Sequence, residues 1–186
     1  MPYMIAHVLA SALLTTGVGA DAAASTVEPT VVTAEDGAER FSGVYDFAGG
    51  ERERQGVRDA VERAVQSLNF MIRGIGRRRL TTVTKVSSRI QFRVDPDTIT
   101  LYFDTKKVAA PRDGRWIDWT DPMGKPTRIS FSISGNTLTQ RFKGEDGSRT
   151  NVFTISEDRQ RLRLKVTIRS DRLEEPIVYN LSYGRS

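Results

Sequence analysis

Alternation marks the start of the patterned chain. In ERFSGVYDF, residues 39–47, Phe41, Gly43, Tyr45 and Phe47 alternate with Ser42, Val44 and Asp46. That period of two predicts a strand with one apolar face, ended by Gly49-Gly50. The period then lengthens. Apolar residues fall at Val57, Ala60, Val61, Ala64, Val65, Leu68, Met71, Ile72 and Ile75, at spacings of three and four. They predict a single amphipathic helix from Glu51 to about Ile75, with Arg52, Arg54, Arg58, Glu62, Arg63 and Arg73 off its stripe.

From Ile90 onward the period returns to two. Ile90, Phe92 and Val94 lead to a turn at Asp95-Pro96-Asp97, and Ile99, Leu101 and Phe103 follow. A short KVAA segment, a Trp-containing segment at 115–119 and a turn at DPMGKP come next. Then Ile129, Phe131 and Ile133 turn at SGN, and Leu138, Gln140 and Phe142 turn at GEDGS. Phe153 and Ile155, then Leu162, Leu164, Val166 and Ile168, then Ile177, Tyr179, Leu181 and Tyr183 complete the set. The sum is one strand, a helix, and about nine further short strands joined by tight polar turns, an antiparallel meander. The helix lies between the first two strands, so a barrel with a helical lid fits better than a sandwich.

This order resembles the calycins, and within them the fatty-acid-binding-protein type. In that type a first strand with a Gly-x-Trp-like step is followed by a helical lid and nine meandering strands. Gly43-Val44-Tyr45 stands where Gly-x-Trp would, and NTLTQRFKGEDGSRTNVFTI resembles the hairpin in which a Gln-bearing strand turns through Gly into a Thr-rich strand. The resemblance spans residues 40–185 and implies a non-catalytic barrel holding a small hydrophobic or amphipathic molecule. One departure is specific. The Arg-x-Tyr step that anchors a fatty-acid carboxylate on the last strand is here Leu181-Ser182-Tyr183, without the arginine.

Ahead of the barrel, MPYMIAHVLASALLTTGVGADAAAS carries an apolar run from Ile5 and an Ala20-Asp21-Ala22 step. The run suits a signal-peptide core, though its start lacks Lys and Arg, and a buried N-terminal helix is the alternative. Residues 1–22 are therefore expected to be a leader, 23–38 a flexible tether and 39–186 the barrel domain. A periplasmic or secreted location follows, with no transmembrane span after leader removal.

Composition narrows the chemistry. The 186 residues contain no cysteine, and the single histidine is His7, inside the expected leader. The mature chain would have neither imidazole nor thiol, which removes His and Cys catalysis, Cys/His zinc sites and His-ligated haem. No cofactor, metal or catalytic residue is assigned. Asp95, Asp97, Glu145 and Asp146 read as turn chemistry. A net charge of +5 leaves acidic partners open.

FMIRGIGRRRL, residues 70–80, is the most conspicuous stretch. Gly74 and Gly76 lack the strand before and the Lys-Ser/Thr after that a phosphate loop needs. Gly76 and Arg77–Arg79 instead read as the end of the helix, with cations at its negative pole. Phe70 lies off the stripe among cations. Packing beneath a loop is the preferred reading, and insertion into an anionic membrane is the alternative. RLRLKVTIR alternates Arg161, Arg163, Lys165 and Arg169 with apolar residues, a basic outer wall. It lacks the interleaved aromatics of single-strand binding, which disfavours nucleic acid.

Inside the barrel the phase places Tyr45, Phe92, Leu101, Phe103, Phe131, Gln140, Phe142, Tyr179 and Tyr183, with Arg149 at the mouth. Gln140 is the unusual member, because a buried amide needs partners. These residues either surround a ligand or fill the interior, since small barrels occur in both forms. In the filled case the protein would act through its basic lid and wall, on an anionic envelope surface or another protein.

Overall fold

The computed structural model describes residues 35–121 and 124–186. The expected leader, residues 1–22, and most of the expected tether lie outside them. A short helix, α1 (Glu35–Glu39), precedes strand β1 (Gly43–Phe47). The expected domain start at residue 39 falls at the end of this helix, whose Ala38 is buried. Helices α2 (Gly50–Ser67) and α3 (Arg73–Val83) follow. Nine strands complete the fold: β2 (Arg89–Val94), β3 (Thr98–Phe103), β4 (Lys106–Pro111), β5 (Ile117–Thr120), β6 (Pro126–Ser134), β7 (Thr137–Lys143), β8 (Gly147–Ile155), β9 (Arg161–Ser170) and β10 (Ile177–Arg185).

All ten strands form one antiparallel sheet in the order β4-β3-β2-β1-β10-β9-β8-β7-β6-β5. The sheet curls into a nearly closed barrel, with β4 and β5 left as its two edges. β1 joins the two halves, pairing with β2 through Tyr45 and Ile90 and with β10 through Phe47 and Tyr183. The alternation read from the sequence is the inside-outside alternation of the wall. On β9, Leu162, Leu164, Val166 and Ile168 are buried, whereas Arg161, Arg163, Lys165 and Arg169 are exposed.

The end of the barrel away from α2 and α3 is filled. Phe41, which follows α1, packs 6.0 Å from Phe92, and Tyr45 and Phe153 each meet the Phe92 ring edge-on. Ile99, Leu101, Leu138 and Phe153 have no exposed surface, so no water-sized void touches them. At the other end Phe47, Phe103 and Phe142 are only half-buried.

The lid is two helices, not the one that the spacing predicts. Leu68 is extended (ψ 151°), and the Asn69 side chain accepts the Met71 N–H in a local turn that competes with helix. Gly74, Gly76 and Arg77–Arg79 accordingly lie inside α3 rather than past a helix end. Arg73 does the capping expected of the later arginines. Its Nε donates to the Leu68 carbonyl at 2.9 Å and its Nη2 to the Gln66 carbonyl at 2.8 Å. Arg77 instead forms a two-pronged pair with Glu62 across the helices, both bonds 2.8 Å.

The break also divides the apolar stripe. Val57, Ala60, Val61, Val65 and Leu68 are buried, but Ile72 is 38% and Ile75 59% exposed. Phe70 does not pack beneath a loop; it and Met71 are each 76% exposed at the turn between α2 and α3. On the inner side, Leu80 and Val83 of α3 pack against the barrel core. Glu53 of α2 binds the backbone N–H and the hydroxyl of Ser182, both at 2.7 Å, where β10 extends beyond the end of β1.

Candidate functional site

A polar chain runs across the inner wall among apolar side chains. Register sets Phe131 opposite Gln140, Gln140 opposite Asn151, Asn151 opposite Val166 and Val166 opposite Tyr179. Gln140 has no exposed surface and Asn151 is 1% exposed. Asn151 Nδ2 donates to Gln140 Oε1 at 2.7 Å, and Arg149 Nε donates to Asn151 Oδ1 at 2.9 Å. Arg149 Nη1 then donates to the carbonyl of Val83 at 2.6 Å. Every acceptor in this chain is matched, and a donor is left over. Gln140 Nε2 is buried without a partner.

Such an atom is uncommon, because an amide N–H removed from water costs about 1–3 kcal/mol when it is left unpaired. It is also chemically directional. The site has an N–H to offer, and Arg149 adds further donors but no acceptor. Tyr179 lies close enough for its hydroxyl to feel the Arg149 charge. Burial pushes that hydroxyl's pKa up, and the guanidinium pulls it the other way.

The remaining residues expected to line a site divide by position. Tyr45 and Phe92 belong to the filled end, where the Tyr45 hydroxyl donates to the Phe41 carbonyl at 3.3 Å. Phe131 is fully buried opposite Gln140. Phe103 leans toward Phe153 at 6.3 Å, and Phe142 contacts Trp119 at 5.3 Å. Tyr183 is committed elsewhere, its hydroxyl donating to the Ser87 carbonyl at 3.2 Å behind α3. Gln140 and Arg149 are joined through Asn151, and Tyr179 lies two strands further along the wall, beyond Val166.

Asn151 is a member of the polar chain that the sequence analysis does not single out. Its signal was present: it shares a phase with Arg149, Phe153 and Ile155, which makes it an inward amide on a strand. Val83 gave no signal, since it contributes a backbone carbonyl. Among the described residues, no group of three or more His, Cys, Asp or Glu side chains is placed to hold a metal ion. No helix among them is long and apolar enough to cross a membrane.

No protein-family profile and no curated protein matches this chain. Solved structures resemble its fold. A fatty-acid-binding protein from brain tissue of Drosophila melanogaster is 18% identical with a TM-score of 0.48, covering 78% of this chain and 99% of its own. Apo lipid binding protein 8 of Caenorhabditis elegans is 12% identical with a TM-score of 0.49, covering 80% and 96%. The fatty-acid-binding protein of Manduca sexta is 15% identical with a TM-score of 0.44, covering 78% and 99%. These three are named as fatty-acid- or lipid-binding proteins, and each is less than 20% identical to this chain.

Proposed function

We propose that this protein is a non-catalytic barrel that binds a small amphipathic molecule at the lid end of its interior. The observation that carries the reading is the unpaired, fully buried Gln140 Nε2, set beside Asn151 among apolar side chains; no water-sized void touches it, so a ligand reaches it by displacing neighbouring side chains. A binding site of this kind needs few polar groups, placed to orient a mostly apolar ligand. Gln140, Arg149 and Tyr179 meet that description, while the half-buried Phe47, Phe103 and Phe142 supply apolar surface nearby. A surface groove between α2 and β10, lined by Gly49, Glu53, Gly56, Val178 and Tyr179 among others, lies at this end of the barrel. The reading includes export. On this reading residues 1–22 are removed, and intact-mass measurement of protein from an exporting host should give a start near Ala23; a full-length product would overturn export.

The test uses N-phenyl-1-naphthylamine, an uncharged apolar probe that fluoresces on burial. Gln140→Leu and Tyr179→Phe should weaken its binding with little dependence on salt. Charge reversal at Arg77, Arg78 and Arg79 should barely change it. A response governed by those arginines and by ionic strength would sink the internal site.

A second reading is favoured by the lid tip. Phe70, Met71 and Ile75 are all more than half exposed, and no acidic residue lies between Glu62 and Asp95. Apolar side chains ringed by cations suit the surface of an anionic bilayer. Co-sedimentation with phosphatidylcholine vesicles, with and without phosphatidylglycerol, tests this. Binding only to the anionic vesicles, lost in Phe70→Ser/Met71→Ser, is the expected result. Equal binding to both vesicle types, or to neither, would dismiss it.

A further inference from the structure

Arg149 has two obligations that pull in different directions. Through Nε it belongs to the wall, donating to Asn151 of its own strand. Through Nη1 it belongs to the lid, donating to Val83, the last residue of α3. The partners Arg149 and Val83 are 66 positions apart in the chain. The Val83 carbonyl is one of the end-of-helix acceptors that no N–H of its own helix can reach. The neighbouring Leu80 carbonyl is served locally, by the Thr84 N–H and hydroxyl. The side chain holding the end of α3 to the wall is thus also part of the polar chain facing the proposed ligand.

We infer that Arg149 is a latch for the lid, and that a ligand with an anionic head releases it by taking the guanidinium from Val83. The ligand-driven half of this inference rests on the internal binding reading above. The exchange is favourable in kind. Both the resident bond and its replacement have the charged guanidinium as donor, but a carboxylate or sulfonate adds a full negative charge on the acceptor side and can take two parallel N–H bonds. The resident acceptor carries only the partial charge of a peptide carbonyl at a helix end. Gln140 Nε2, buried and unpaired on the same wall, gains an acceptor only where the entering head also displaces the side chains that cover it.

Release is local. Val83 loses its hold, but Tyr183 still donates to Ser87 and Glu53 still holds Ser182, so the far ends of the lid stay fixed. What loosens is the last turn of α3 and the residues just after it, about 80–86. An uncharged ligand of the same shape fills apolar space but leaves the Arg149–Val83 bond intact. Arg149 is therefore assigned two roles: it selects for charge in the ligand, and it couples occupancy to the lid.

The experiment compares 1-anilinonaphthalene-8-sulfonate with N-phenyl-1-naphthylamine, the same ring system without the sulfonate. Amide hydrogen exchange over residues 80–86 is followed by mass spectrometry in the intact protein. The sulfonate should raise exchange there by about tenfold, the scale of losing one charge-assisted bond, and the uncharged probe should not. Arg149→Met should show the raised exchange with no ligand present, and the sulfonate should add nothing. Arg149→Lys keeps a cation for folding but cannot bridge Asn151 and Val83 with one fork. It should fall between the two, and it serves if the Met variant does not fold. Ligand-free exchange equal to the parent in either folded variant would overturn the latch. Equal effects of the two probes would overturn its anion dependence. If neither probe binds, the ligand reading and ligand-driven release fall together, and the ligand-free comparison still decides whether Arg149 holds α3.

Discussion

Gly76 of α3 packs so tightly on Leu68 that a β-carbon at position 76 would overlap the Leu68 Cδ1 atom. This contact brings α3 back against α2 after the break, so the two helices close as a hairpin. Gly74, two residues earlier on the same helix, faces open space. The two glycines are alike in sequence and opposite in consequence.

Alanine at each position separates these roles. Gly74→Ala should stabilise the protein by about 0.5–1 kcal/mol, because alanine loses less backbone freedom in a helix. Gly76→Ala gains the same but must swing the Leu68 Cδ1 methyl, the end of a flexible yet buried side chain, out of its packing, at a cost of up to about 1–3 kcal/mol. The second variant should therefore be neutral or less stable than the parent. Thermal unfolding of both checks this; equal gains would mean that Gly76 does not set the approach of the helices.

The divided apolar stripe gives a second contrast. Leu68 is 7% exposed and Ile75 is 59% exposed, although the helical spacing treats them as equivalent. Leu68→Ala should cost about 2–5 kcal/mol, through lost transfer energy and the cavity left behind. Ile75→Ala should lie within about 0.5 kcal/mol of the parent, as surface changes do. Urea unfolding of the two variants measures both.

That same stripe shows where sequence reasoning stops. Strand phase was legible because a wall with one buried face forces apolar residues to every second position, as on β9. The ten-strand meander and the place of the lid followed from it. The helix break at Leu68 was not legible, because it depends on a single Asn69 turn inside an uninterrupted period of three and four. In the site, Gln140 was legible as a polar residue in an apolar phase. Its missing partner was not, because satisfaction depends on Asn151 across the register and on a lid carbonyl that any residue could supply.

At acid pH, an exposed ion pair tying β1 to β2 is expected to weaken. Asp46 accepts two bonds from Arg89, at 2.7 and 3.1 Å, and one from the Ser186 hydroxyl at 2.6 Å. Arg89 first, and then Ser186, hold the Asp46 carboxyl down at about 2, below its ordinary 3.8. Since the folded value is the lower one, the stabilisation is present above 3.8 and is lost as the pH falls from there toward 2. The pair is open to solvent, so the effect should be small and should shrink with salt. Asp46→Asn should flatten this part of the acid limb in an unfolding titration; an unchanged limb would remove the pair from the account.

At alkaline pH the tyrosines act with the opposite sign. Burial raises the pKa of the Tyr183 hydroxyl well above its ordinary 10.0, with smaller upward pushes from Tyr179, Asp104 and Glu53 against a downward pull from Arg54. Tyr183 also holds its proton in the bond to Ser87, behind the lid. In the unfolded chain the same hydroxyl ionises at its ordinary value, while the folded protein keeps it neutral. Stability is therefore full below 10 and falls as the pH climbs from there toward the raised folded value. Tyr183→Phe removes the ionisable group and one hydrogen bond, so it should be less stable than the parent at pH 7, by about 0.5–1.5 kcal/mol. Its stability should nevertheless decline less steeply above pH 10, and the two curves should converge. Parallel curves through the alkaline range would mean that the Tyr183 hydroxyl ionises equally readily in the folded and unfolded chain, and that burial beneath the lid does not protect it.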